Sequence, residues 1–263
     1  MTSASLPVYL INIDRAAERL AVLLQDAARF GIDIERVAGI DGTLLAPAER
    51  VNVDEALFFR RNGRTMLAGE YGCYRSHMVA YERLLDNGVD AAVIIEDDVG
   101  FDATFRSRVE AIYRAMPDAD VIKLVNHRTS GFFAVAETDQ GDRIGRCFIG
   151  PQGSGACYLV TRAGAQKLLQ ALKIMSLPAD MALERGWASG VEIFTVEHNV
   201  LPFGSMREAT MIGTRADYRA VKQPQLQRMP AHLFRVGEFF ARLAYAARGI
   251  AARLGRRKQR AAS

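Results

Sequence analysis

Three observations predict an α/β protein with a mostly parallel, Rossmann-type sheet covered by helices on both faces. Short apolar runs of strand length alternate with stretches of about 10–15 residues that carry helical periodicity. Some of the runs, AAVII at residues 91–95 above all, are apolar at every position, as strands buried on both faces are. After His232 the pattern becomes one long amphipathic stretch rich in arginine. The reading is one domain over residues 1–231 and a basic amphipathic tail over residues 232–263.

Taken in order, VYLINI (residues 8–13) is the first strand, with Asp14 placed to cap the following helix. Leu20, Leu23, Leu24, Ala27 and Phe30 recur at helical spacing up to Gly31, a natural stop. IERVAGI is a second strand closed by the turn pair Asp41-Gly42, and residues 43–68 are irregular. A helix over about residues 71–85 ends at Asn87-Gly88. The strand AAVII, a helix over about residues 103–115 and the strand DVIKLV follow. Beyond a loop come the strand GACYLV, a helix opening near Thr161, and a last strand, VEIFTV.

Composition narrows the classes. Apolar content of 49% with 24% charged residues is ordinary for a globular protein. The opening MTSASLPVYLINID has no basic region followed by an apolar core, so no export signal is expected. No window reaches the roughly 18–20 apolar residues of a bilayer span. Cys73, Cys147 and Cys157 are odd in number without CxxC spacing, which suits reduced thiols in a cytoplasmic protein. The net charge of +4 is uneven. Residues 232–263 hold eight arginines and lysines against one acid, Glu238, so the body is mildly acidic.

AAVII runs directly into Glu96, Asp97 and Asp98. Ligands in open α/β sheets gather beyond the carboxyl ends of strands. Carboxylates about 4–6 Å apart disfavour joint ionisation, and a divalent cation removes that penalty. Oxygen donors favour Mg²⁺ or Mn²⁺, commonly shared with substrate phosphates. The competing reading is an acidic loop that caps the next helix.

VYLINIDRAAER, GEYGCYRSH, VIIEDDV and GSGACYLVTRAGAQKLL stand in the order and rough spacing of glycosyltransferase family 25, and over about residues 8–180 the chain resembles that family. The resemblance implies a GT-A-like fold, a UDP-sugar donor and net inversion at the anomeric carbon. It implies transfer of a hexose, galactose first, to a lipopolysaccharide, lipooligosaccharide or other surface-glycan acceptor. The family's acidic metal motif falls here on Glu96 and Asp98, with Asp97 between them facing the donor. Glu96 in place of an aspartate leaves open which oxygen meets the metal.

The remaining candidates each carry two readings. Asp14, Arg15 and Arg19 stand at the mouth of the first strand, for nucleotide contacts or as a helix cap and surface pairs. Ser76 and His77 lie in a helix, where His77 is a donor or acceptor contact by resemblance or a core histidine. Glu70 reads as an acid of that helix's first turn. Gly153 and Gly155 permit close backbone approach around Ser154, for a substrate loop or a tight turn, and no lysine follows to make a phosphate loop. PAD at residues 178–180 matches the family's P-x-D, which makes Asp180 the base of a single displacement, or else a helix cap. His198 is a further metal contact by resemblance, or an ordinary histidine that nothing local singles out.

In the tail, Leu233, Val236, Phe240, Leu243, Ala247, Ile250 and Leu254 form one helical stripe, with Arg235, Arg242, Arg253 and Arg256 largely opposite. This suits an anionic membrane surface on the cytoplasmic side of the inner membrane. The competing reading is a helix docked on its own domain. Nucleic acid is not expected, because no aromatic platform interleaves with the charge. The expected activity is thus an inverting, metal-dependent sugar transferase. Metal-dependent nucleotidyl or phosphoryl transfer and a catalytically silent glycan-binding protein are the alternatives.

Overall fold

The computed structural model describes residues 6–204 and 212–262, with side chains described as far as Gly255. In chain order the strands are β1 (Val8–Asn12), β2 (Ile34–Ala38), β3 (Ala91–Glu96), β4 (Val121–Lys123), β5 (Phe132–Glu137), β6 (Arg143–Cys147), β7 (Cys157–Thr161) and β8 (Ile193–Val196). They form one sheet in the order β2-β1-β3-β7-β4-β8-β6-β5. β6 and β7 run against the other six, so the sheet is mixed but mostly of one direction. The helices are α1 (Ala17–Arg29), α2 (Glu55–Asn62), α3 (Ala68–Asp86), α4 (Phe105–Ala115), α5 (Arg162–Ala171), α6 (Ala179–Leu183), α7 (Gly186–Ser189), α8 (Arg215–Ala220) and α9 (Met229–Ala262).

The apolar strands sort their side chains by the period of two. Leu10, Val93 and Ile95 meet Leu23 and Ala27 of α1 and Val109 and Ile112 of α4 on one face. Tyr9, Ile11, Ala92 and Ile94 meet Tyr74 and Tyr81 of α3 and Ala165 and Leu168 of α5 on the other. Each fully buried leucine or isoleucine contributes about 1.5–3 kcal/mol, so the two cores together pin the central strands.

The six strands read from the sequence are present, and four features differ. The loop expected between the fourth and fifth strands contains the β5–β6 hairpin. Its register shifts between Ala134 and Ala136, and β6 carries arginines that mask its pattern. β7 is antiparallel to both β3 and β4, which alternation of strands and helices does not disclose. The stretch taken as irregular contains α2, where Asp54 accepts the Leu57 N–H at 2.8 Å and Gly63 at φ +68° ends the helix. Asp14 does not cap α1. It lies in a 3-10 turn, with its carboxylate turned to Arg36 at 2.5 Å.

The tail is a helix docked on the domain. Arg185 and Glu238 pair at 2.6 Å, Tyr245 donates to the Val191 carbonyl at 2.7 Å, and Arg253 pairs with Asp118. Arg146, buried beneath α9, stacks its guanidinium 4.0 Å from the Tyr245 ring and 4.5 Å from that of Phe194. Among the described residues no helix is long and apolar enough to cross a membrane.

Candidate active site

Parallel pairing sets Ile11 of β1 opposite Glu96 of β3, so the two strands end together and their carboxyl ends open onto one cleft. Asn12, Arg15, Arg19, Asp41, Cys73, Ser76, Glu96, Asp97 and Asp98 all line it. Close packing brings the Asp41 loop in. A Cβ on Gly42 would stand 2.0 Å from the Ala68 carbonyl oxygen, so only glycine lets this loop lie on the start of α3.

The sheet's alternation separates the acids that adjoin in sequence. Glu96 continues the Ala92–Ile94 face towards α3, where the Nε2 of His77 stands 3.0 Å from Oε1 and the Cys73 thiol 3.8 Å from it. Asp97 continues the opposite face towards α1. The Asn12 side-chain amide donates to its Oδ2 at 2.7 Å, and Arg19 pairs with its Oδ1 at 2.7 Å. Asp98 follows in the turn, half-buried in the cleft wall, and its carbonyl accepts the Gly204 N–H at 2.7 Å.

Electrostatics differ between the two embraced carboxylates. Burial would raise Glu96, but the hydrogen bond and charge of His77, with Arg19 beyond, outweigh it and hold the group below its ordinary value. Asp97 is raised, because its burial exceeds what Arg19 and Asn12 return. Burial, with Glu96 adding to it, drives the Cys73 thiol far up, so it stays protonated at neutral pH. His77 is held from behind, its Nδ1 2.8 Å from the Tyr158 hydroxyl, which is 2.9 Å from that of Tyr81.

The other sequence candidates fall as follows. Ser76 accepts the Ile40 N–H at 2.8 Å and donates to the Gly72 carbonyl at 2.7 Å, tying α3 to the β2 loop at the cleft edge. Arg15 pairs with Asp41 at the mouth. Asp14 lies outside the cleft lining with its carboxylate 90% exposed. Ser154, buried at φ +68°, accepts the Ala156 N–H at 3.1 Å and so shapes its own loop. The next residue, Gly155, touches the site, since a Cβ there would stand 3.3 Å from both Glu96 Oε1 and His77 Nε2. Asp180 is in the first turn of α6, which packs on α3, and its carboxylate accepts the adjoining Met181 N–H at 2.8 Å. Burial, with Glu184 next, raises its carboxyl, and its charge reaches Cys73 and Glu96. Glu70 is the first-turn acid expected, taking the Leu67 N–H at 3.0 Å and Arg64 at 2.5 Å. His198 is exposed.

Several members escaped the sequence reading. Asn12 and Arg36 build the strand mouth, Arg36 donating to the Asn12 side-chain oxygen at 3.1 Å. Beneath the glycine loop, Glu184 accepts the Gln152 N–H at 2.9 Å and the Gly153 N–H at 2.7 Å. It pairs at 2.9 Å with both Lys123 and Arg242 of α9. A signal existed for Lys123. It is a lone cation inside DVIKLV, and a buried charge needs a partner.

The donor chemistry suits a hard divalent cation at Glu96 and Asp98, two half-buried carboxylates at one strand end with Asp97 drawn aside by Arg19. Cys73, His77 and Glu96 form a second set of possible ligands, their donor atoms within 4.8 Å of one another. Sulfur is a soft ligand and a poor one for a hard ion.

Fold and cleft define an α/β protein whose acidic strand end faces fixed arginines. The chain belongs to glycosyltransferase family 25, whose model, described as an LPS biosynthesis protein, matches residues 5–183. It is 28% identical over 183 residues to a glycosyltransferase 25 family member of Anopheles gambiae, a match covering 66% of this chain and 30% of that one. It is 26% identical over 187 residues to procollagen galactosyltransferase 1 of Danio rerio, again over 66% of this chain and 30% of the relative. A human relative, 31% identical over 121 residues that cover 44% of this chain and 20% of that protein, is named an inactive glycosyltransferase 25 family member 3. The chain thus spans about a third or less of the length of these curated relatives.

Proposed function

We propose that the protein is an inverting, metal-dependent glycosyltransferase that moves a hexose, galactose first, from a UDP-sugar to a surface-glycan or glycolipid acceptor such as a lipopolysaccharide. One observation carries the reading: Glu96 and Asp98 share a cleft at the end of a central strand with Arg15 and Arg19. That mixture suits a diphosphate shared between a cation and guanidinium groups. The galactosyltransferase relative supports the choice of sugar.

Glu96 and Asp98 would hold Mn²⁺ or Mg²⁺, and the bound ion would offset the charge growing on the departing diphosphate. Arg19 and Asn12 fix Asp97 so that Asp98 is presented to the cleft. His77, braced by Tyr158, would orient Glu96, and Arg15, paired with Asp41 at the mouth, would contact the nucleotide. Asp180 takes the acceptor hydroxyl's proton as that oxygen attacks the anomeric carbon and the bond to UDP breaks. Its raised carboxyl places the acid limb of the rate above the ordinary aspartate value, because the base is lost as pH falls through that raised value.

The test is UDP release from UDP-galactose with Mn²⁺ and a glycan acceptor. Asp98→Ala is expected to lower kcat by about 10²-fold or more, as loss of one electrostatic stabiliser does. Asp180→Asn is expected to abolish turnover while UDP binding persists. Undiminished turnover in Asp98→Ala refutes the reading. The relative named inactive favours one alternative, a silent sugar-binding protein, for which no acceptor would yield UDP.

A further inference from the structure

α9 meets the body with one face and leaves another uncovered. The covered face holds Ala231, Ala246 and Ile250, with Tyr245 anchored by its hydroxyl and Arg242 and Arg253 drawn into ion pairs. At about 100° of rotation per residue, Met229, Leu233, Val236, Phe240, Leu243 and Leu254 fall on a second stripe, which meets the first at Ile250. Each of these six is 38–67% exposed. An amphipathic helix ordinarily spends its apolar stripe on the core. Here alanines and arginines share the docking with Tyr245 and Ile250, and six other apolar side chains face outward along about 38 Å of helix.

We propose that this stripe seats the protein on an anionic phospholipid surface, with α9 lying in the interfacial plane and the domain above it. Charge selects the occupant. The one acid of residues 232–263, Glu238, is neutralised by Arg185, so none remains to oppose a negative surface. Arg235 and Arg248 are exposed along the helix, and Arg256, Arg257, Lys258 and Arg260 follow in sequence where the stripe ends. A second copy bound through the same stripe would set this positive helix against itself, which charge disfavours. A flat bilayer also matches a straight single row better than a partner that needs a groove. The helix is not apolar enough to cross the membrane, so it lies upon it. The proposal is independent of the chemistry assigned to the cleft.

The experiment is flotation of the full-length protein with phosphatidylcholine vesicles, with and without phosphatidylglycerol. The protein is expected to float with the anionic vesicles, to stay behind with neutral ones, and to be released by added salt. Phe240→Glu combined with Leu243→Glu is expected to cut flotation by about tenfold or more, with circular dichroism and urea midpoint unchanged because both sites are exposed. Equal flotation of the variant, or no flotation of the native chain, overturns the proposal. So does a dimer by light scattering that this variant dissociates, which would assign the stripe to a second copy.

Discussion

Glu184 and Lys123 show how much one buried pair can govern. Both side chains are almost wholly enclosed, 2.9 Å apart, and Glu184 also takes two N–H groups of the glycine loop. Burial alone would raise the Glu184 carboxyl, but the charges of Lys123 and Arg242 outweigh it and hold the group below the usual carboxylate range. A depressed folded value means stability that is present above the unfolded value of about 4.3 and lost as pH falls through the folded one. Glu184→Gln leaves Lys123 enclosed without a counter-charge. It is therefore expected to cost about 3–5 kcal/mol at neutral pH in urea unfolding. The difference between variant and native protein should narrow on acidification. A pH-independent difference would mean that the carboxylate's charge is not what stabilises the pair.

Among the elements, α9 has a second consequence through Arg242, which reaches Glu184 and through it the loop carrying Gly155 against Glu96 and His77. The helix thus braces the cleft from behind, and Arg242 is a positioning residue. Arg242→Ala is expected to speed hydrogen exchange at the Gln152 and Gly153 amides by about tenfold or more while the β1–β3 amides stay protected, since only local opening becomes easier. Unchanged exchange at those two amides would separate the helix from the loop. A sequence reading could find the helix from its periodicity, but not its docking. The docking face mixes alanines and arginines with Tyr245 and Ile250, so its composition does not mark it as the buried side.

For the whole molecule, the cleft predicts linked binding. UDP with Mn²⁺, each well above its dissociation constant, should raise stability by about 2.7 kcal/mol at a hundredfold excess, or Tm by about 5–10 °C. UDP without metal should do less, and Asp98→Ala should abolish the metal's share. A shift that is the same with and without Mn²⁺ would remove the metal from the proposal. The site joins β1, β3, α1 and α3 with the Asp41 loop, so such a shift reports the integrity of the main sheet rather than of one loop.

The sequence by itself determined the apolar strands, the helices with periodic cores, and the acidic end of β3, because each is a local pattern dictated by the periods of two and 3.6. It also marked Arg19 and Glu96, which the fold does bring to one cleft, and His77, which it sets against Glu96 from behind. Only the tertiary structure decided that Asp97 belongs to Arg19 and Asn12 while Glu96 belongs to His77. That division follows from which face of β3 each residue continues and which helix covers it. It likewise decided the antiparallel β7, the exposed fate of Asp14 and the inward turn of Arg242. These depend on partners far apart in the chain, and no local pattern encodes which distant surface a side chain will meet.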